Sequence, residues 1–303
     1  MSCDMSVSLC GVKLANPVIA ASGTFGFGRE YAEYFELSRL GGVSVKGLTL
    51  LPRAGNPPPR VAETPAGMLN SVGLQNPGIE AFLRDDLPWL LDQNTMVMAN
   101  IAGNTLDEYA EMARRLRGTG VHLIELNISC PNVKQGGVAF GVRPETVFEA
   151  TRAAKAQAQQ PLIVKLTPNT ADIAAVAKAA EEAGADGISL INTLTGMAVD
   201  PYTRKPILAN ITGGLSGPAI MPVALRMVWQ AAQAVSIPVV GMGGIASGED
   251  AARFMLCGAS AVMVGTAGLY DPMLFVRIAE ELYEFCKKTG VKRVSELVDA
   301  INT

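Results

Sequence analysis

Between His122 and Asn132 the chain passes from an apolar run into a cluster that carries Asn127, Ser129, Cys130 and Asn132 within six residues. Residues 123–128 read as a parallel strand covered on both faces, and Pro131, which cannot donate to a ladder, ends it. The loop after it presents a thiol between two carboxamides. Such a cysteine can be a nucleophile, a metal ligand, a proton-transfer group or a packed thiol, and its immediate neighbours leave all four open. Lys46 and Lys165 end two other apolar runs in the same manner.

These residues need a scaffold, and the rest of the chain has the rhythm of one. Candidate strands cover residues 17–21, 42–48, 96–101, 123–128, 162–166, 187–191, 238–242 and 261–264. Candidate helices lie near 29–40, 78–92, 105–118, 144–159, 171–184, 218–235, 248–257 and 272–289, with Thr105 as an N-cap before Asp107 and Glu108 and with Pro144 opening the fourth. Regular alternation implies parallel strands with right-handed crossovers, and eight units close into a (β/α)8 TIM barrel. The expectation is an α/β chain forming a single domain over 1–303, with a short N-terminal hairpin (7–9 and 12–14) and extended loops at the C-terminal face. The alternative, an open doubly wound sheet, lacks its dinucleotide fingerprint, since Gly26 and Gly28 are followed by Tyr31 where the third glycine belongs. Connections 50–77 and 192–217 are too long for simple turns; both come after strands, so both belong to the active face as lids or binding loops.

On that face the strand ends supply Ser22, Gly23, Lys46, Gly47, Asn100, Asn127, Lys165, Asn192, Thr193, Gly243, Gly244, Gly265 and Thr266. The glycine pairs after strands seven and eight match the usual phosphate site of a barrel, where backbone N–H groups meet an anion. His122, the one histidine, starts strand four at the opposite end and reads as structural, which excludes histidine triads and histidine-rich metal sites. No acidic residue stands among the strand ends, and Glu125 lies inside its strand. Cys130 or a lysine is left as proton-transfer group or nucleophile.

Composition narrows the partners. With 49% hydrophobic and 17% charged residues and a net charge of −3, the chain suits a large core rather than a disordered tail. The basic clusters at Arg114, Arg115 and Arg117 and at Lys287 and Lys288 fall on helix faces and read as solvated, not as nucleic-acid or lipid footprints. The N-terminus has no basic signal region and no apolar run reaches ~18 residues, so the reading is a cytoplasmic protein without a membrane span. Five scattered cysteines give no disulfide framework and no zinc or iron–sulfur ligand set, and no metal site is expected.

The motif from Asn127 to Asn132, with Lys46 and Gly47, Asn70 to Leu74, Lys165 to Pro168, Ile191 to Thr193 and the two glycine pairs, closely resembles the dihydroorotate dehydrogenases. These are FMN-dependent barrel enzymes of pyrimidine synthesis, and the likeness covers nearly the whole chain in order. Cysteine at position 130, where the membrane-associated class has serine, resembles the soluble class 1. Residues 133–141 and 210–218 resemble the catalytic subunit of its NAD-dependent branch, class 1B. The resemblance implies oxidation of (S)-dihydroorotate to orotate. It implies FMN held by Ser22, Lys46, Gly47, Asn100, Asn127, Lys165, Ile191, Gly217, Gly243, Gly244, Gly265 and Thr266. It implies substrate held by Lys46, Asn70, Ser71, Val72, Gly73, Leu74, Asn127, Asn132, Asn192 and Thr193. Cys130 would be the general base and Lys165 would stabilise charge on the flavin. Electrons would leave through a partner subunit carrying FAD and a [2Fe–2S] cluster, docked on a dimer of catalytic subunits in a heterotetramer. The resemblance does not locate that contact; the N-terminal hairpin with Cys3 and Cys10 is a candidate surface for it, and capping of the barrel is the other, favoured reading of the same segment. Competing readings are a fumarate-dependent class 1A enzyme, a flavin-free aldolase or isomerase using Lys165 as a Schiff-base amine, and an inert scaffold subunit.

Overall fold

Eight apolar runs become strands β1 (Val18–Ala20), β2 (Gly42–Ser44), β3 (Val97–Ile101), β4 (Leu123–Asn127), β5 (Leu162–Lys165), β6 (Gly187–Leu190), β7 (Val239–Met242) and β8 (Ala259–Val264) in the computed structural model. It describes residues 2–129 and 140–302. Each strand pairs in parallel with its neighbours, and β8 lies against β1, so the sheet closes as a TIM barrel. Closure buries both faces, which is why the strands are apolar runs rather than alternating ones. β2 is shorter than the run 42–48: the amide of Val45 still donates to Met98 O, 3.0 Å, but that of Lys46 turns to Gly26 O, 2.8 Å. The lysine thus sits in a break of the ladder at the cavity, and pairing with β3 resumes at Leu48, whose amide donates to Asn100 O at 2.8 Å.

Helices succeed the strands as expected, with two departures. The run 29–40 is a short helix, Arg29–Ala32, and a 3-10 turn, Leu37–Arg39. The run 78–92 is interrupted by a π-helical turn, Phe82–Asp86, ahead of Leu87–Leu91, where Pro88 has no N–H to continue an α-helical ladder. Thr105 caps Leu106–Arg115 as expected, its Oγ1 accepting from Glu108 N at 3.1 Å. Among the described residues no helix is long and apolar enough to cross a membrane.

The N-terminal hairpin, Val7–Leu9 with Val12–Leu14, sits at the N-terminal end of the barrel. Leu9 and Leu14 are buried, and Cys10 Sγ donates to Asp186 O just before β6, 3.1 Å. Cys3 is buried too. Of the two readings of this segment the structure favours capping: buried apolar residues at 7, 9 and 14 make the hairpin a plug rather than an exposed docking face. His122 lies at the same end, its Nδ1 accepting from Val97 N at 3.1 Å, the structural role expected of it.

The two long connections do not remain loops. Val61–Thr64 and Gly67–Asn70 from the first pair with Leu194–Met197 and Thr212–Ser216 from the second in one antiparallel four-stranded sheet. Its central pairing, Gly214 with Asn70 and Leu215 with Leu69, joins segments more than a hundred residues apart.

Candidate active site

A cavity of about 360 Å³ opens between the C-terminal ends of the barrel strands and this added sheet, within the range of small-ligand and cofactor sites, roughly 300–1,000 Å³. The barrel contributes Ser22, Lys46, Gly47, Asn100, Asn127, Lys165, Ile191, Asn192, Thr193, Gly243, Gly244, Gly265 and Thr266; the sheet side contributes Asn70, Val72, Gly73, Leu74 and Gly217. Each of these residues was expected from the sequence. Ser71 is not at the wall: it is fully buried, its amide donates to Arg60 O at 2.8 Å, and its hydroxyl has no partner among the described residues. Cys130 and Asn132 lie outside the described residues. Wall residues that sequence reasoning missed include Thr24, Met68, Ser216 and Leu269. Nothing in their local spacing marks them, because they come from the added sheet or from beyond a strand end.

The floor is polar and closely bonded. Lys165 Nζ donates to Ser22 Oγ at 3.4 Å and stands 3.8 Å from Glu125 Oε2. Glu125, excluded as lying inside its strand, is fully buried just beneath the cavity and accepts from Ser44 Oγ at 3.0 Å and Ser189 Oγ at 2.8 Å, as well as from Asn100 Nδ2. Glu125 lies inside its strand as expected and stays off the cavity wall; what the sequence left out is its place under the floor, where β4 points it into the barrel as strand alternation with Asn127 dictates. Burying an ionised carboxylate costs several kcal/mol, and each hydrogen bond to a charged group returns roughly 1.5–3 kcal/mol. Three donors and a lysine are of the size needed to hold it.

From Asn100 the bonding continues upward. Asn127 Nδ2 donates to Asn100 Oδ1 at 3.3 Å, and Asn127 Oδ1 accepts from the amide and hydroxyl of Ser129 at 3.3 and 3.1 Å. Asn192 Nδ2 donates to Ser129 Oγ at 2.8 Å, and Tyr109 Oη donates to Asn127 O at 3.2 Å. Asn192 Oδ1 accepts from Thr193 N at 2.8 Å. Strands β3, β4 and β6 are thereby coupled at the cavity.

On the opposite side two turns approach each other through glycine. Gly217 has φ +95° and a Cβ there would lie 2.7 Å from Gly67 Cα; Gly244 has φ +87° and a Cβ there would lie 2.8 Å from Gly217 O. Only residues without a side chain permit this approach. The amides of Gly244, Gly265 and Thr266 donate to no other described residue, which leaves them available to an anion. Thr266 Oγ1 donates to Ser216 Oγ at 2.8 Å, tying β8 to the added sheet.

Comparison with known proteins adds a second line of observation. The model of the dihydroorotate dehydrogenase family matches residues 4–286. A protein of Geobacter sp. (strain M21), named dihydroorotate dehydrogenase B (NAD(+)), catalytic subunit, is 56% identical over 299 residues, spanning 98% of this chain and 98% of its own length. A protein of Alkaliphilus metalliredigens (strain QYMF) with the same name is 56% identical over 294 residues, 97% of each chain. Among solved structures, that of DHODH from Eimeria tenella in complex with ferulenol superposes with a TM-score of 0.80 at 23% identity, covering 98% of this chain and 88% of the other. That last likeness speaks to the fold.

Proposed function

The chain belongs to the dihydroorotate dehydrogenase family, and from that premise we propose that it oxidises (S)-dihydroorotate to orotate in cytoplasmic pyrimidine synthesis. The whole chain acts as one FMN-binding barrel domain, the catalytic subunit of a class 1B enzyme that delivers electrons to NAD+. The observation that carries this reading is the convergence of Lys46, Asn127, Lys165, Asn192 and Thr193 with the two glycine turns on one cavity.

The residues present fit FMN. The free amides of Gly244, Gly265 and Thr266, with the side-chain-free cradle of Gly217, Gly243 and Gly244, suit its phosphate. Ser22, Lys46, Gly47, Asn100, Asn127, Lys165 and Ile191 suit a flat ring bearing N–H and C=O groups. FMN held by these residues would supply the hydride acceptor for C6 of the substrate.

The chain's own groups do the rest. Cys130, outside the described residues, takes the proton from C5; a free thiol titrates near ~8.5, so some thiolate is present near neutrality. The ammonium of Lys165 stabilises the negative charge that builds on the ring system during transfer. Lys46 pairs with the substrate carboxylate, and Asn70, Asn127, Asn132, Asn192 and Thr193 pair with the ring amides, where carboxylates would repel the substrate. Val72, Gly73 and Leu74 line the substrate side of the cavity, with Ser71 buried behind them. The added sheet covers the cavity and excludes water.

We further propose that electrons leave through a second subunit carrying FAD and a [2Fe–2S] cluster, docked on a dimer of this chain as a heterotetramer. The relatives' names support a partner subunit and an NAD link, since a catalytic subunit and NAD(+) are both written in them; FAD, the cluster and the heterotetramer rest on the family resemblance. The test is anaerobic. The purified, FMN-loaded chain should lose its flavin absorbance on adding dihydroorotate, and should then turn over slowly with either fumarate or NAD+ alone. Absence of bleaching overturns the reaction; rapid fumarate turnover overturns the NAD-linked assignment.

A further inference from the structure

Glu125 is buried beneath the cavity, does not line it, and has no part in the reaction above. All its neighbours are donors: Ser44 Oγ, Asn100 Nδ2, Ser189 Oγ and, at 3.8 Å, Lys165 Nζ. An ionised carboxylate accepts and cannot donate, so it imposes a direction on the carboxamides bonded above it. Asn100 must turn its NH2 toward Glu125, which leaves its Oδ1 to accept from Asn127 Nδ2. Asn127 then offers Oδ1 to the amide and hydroxyl of Ser129. Were Asn100 reversed, two NH2 groups would face each other at about the same 3.3 Å. Were Asn127 reversed in relief, its NH2 would meet the backbone N–H of Ser129, which cannot turn. A carboxylate at one end and a backbone amide at the other leave one arrangement in which every partner is matched.

We propose that Glu125 is a positioning residue of this site: by accepting from Asn100 it fixes which atoms of Asn100 and Asn127 face the cavity. The ligand readout rests on the flavin and orotate reading above, and the amide readout does not.

Substitutions separate direction from bulk. Glu125→Gln can keep its oxygen toward Asn100 and turn its NH2 to Ser189, whose hydroxyl is able to accept. Glu125→Met fills similar space and accepts nothing. In Glu125→Gln combined with Ser189→Ala, the NH2 loses that acceptor and finds its remaining one in Ser44 Oγ, which lies on the Asn100 side of the carboxylate. In the FMN-loaded protein, orotate affinity, read from the orotate-induced change in the flavin spectrum, should fall about tenfold in Glu125→Met and in the double variant, the loss that goes with one misdirected hydrogen bond. It should stay near wild type in Glu125→Gln and in Ser189→Ala alone. Without any ligand, the side-chain NH2 resonances of Asn100 and Asn127 in asparagine-labelled protein should be shared by wild type and Glu125→Gln and displaced in the double variant. If Glu125→Met does not fold, the double variant against its two parents decides. Equal affinity and unchanged resonances in the double variant overturn the proposal. Absence of flavin binding or of an orotate signal in wild type overturns the functional reading instead, and the amide resonances still decide this one.

Discussion

Lys165 reaches the cavity floor from the end of β5, with Ser22 Oγ at 3.4 Å and Glu125 Oε2 at 3.8 Å. Removing its ammonium should slow reduction of bound flavin by on the order of 10²–10³-fold, the scale of losing one preorganised electrostatic partner. Stopped-flow reduction of Lys165→Ala at full FMN occupancy measures this, and a normal rate would remove Lys165 from the role. Cys130→Ser should keep FMN and slow reduction by roughly 10²–10⁴-fold, because a serine hydroxyl is a far weaker proton acceptor; unchanged reduction at neutral pH rules the thiol out as base. At this scale the site was largely legible, since a lysine or asparagine ending an apolar run is visible in one dimension. Glu125 was not. It sits within a strand, and only closure of the barrel shows that its neighbours across the interior are Ser44 and Ser189.

Among the elements, the sheet built from the two long connections contributed what the sequence left as loops. Its strand Thr212–Ser216 lies directly on Thr193: a Cβ on Gly214 would stand 2.6 Å from Thr193 Cβ. Gly214→Ala should therefore displace Thr193 and raise the KM for dihydroorotate, with kcat/KM falling on the order of 10²-fold, as for an ångström-scale misplacement. FMN content and Tm should change little; a KM equal to wild type would show that the sheet yields instead. Strand segments such as Gly67–Asn70 and Thr212–Ser216 carry glycine and polar residues without an alternating pattern. They are strands because a partner more than a hundred residues away supplies their hydrogen bonds, and no local window contains that partner.

For the whole molecule, the last long helix, Leu274–Thr289, closes the ring against the segment after β1. Phe275 is fully buried, with ring centroids 5.1 Å from Phe25 and 5.3 Å from Tyr31 in edge-on geometry. Phe275→Ala should cost about 3–5 kcal/mol, measured as a lower urea midpoint at unchanged slope; a loss under about 1 kcal/mol would mean the site collapses to fill the space. Two thiols add a pH dependence. Burial, reinforced by Asp186, pushes Cys10 from 9.0 up to about 12, and burial, reinforced by Cys3, does the same for Cys286. Between those values the native thiols keep protons that the unfolded chain has released, so stability should be flat below pH ~9 and fall as pH rises from there toward ~12. Urea midpoints from pH 7 to 11 test this, with Cys286→Ala expected to show the shallower decline; identical slopes would contradict it.

The sequence by itself determined the barrel, its eight strands and the polar strand ends of the cavity wall, because hydrophobic runs and the polar residues that end them are local features with a fixed period; Asn70, Val72 to Leu74, Ile191 and Gly217 came only through the family resemblance. It also carried the family likeness through motifs that remain contiguous in the chain. Only the tertiary structure decided that the long connections pair into one sheet, that the N-terminal hairpin is a plug with Cys3 buried, and that Glu125 stands beneath Asn100 and Lys165. Each of these depends on contacts between residues far apart in sequence, and those contacts exist only after β8 has closed on β1.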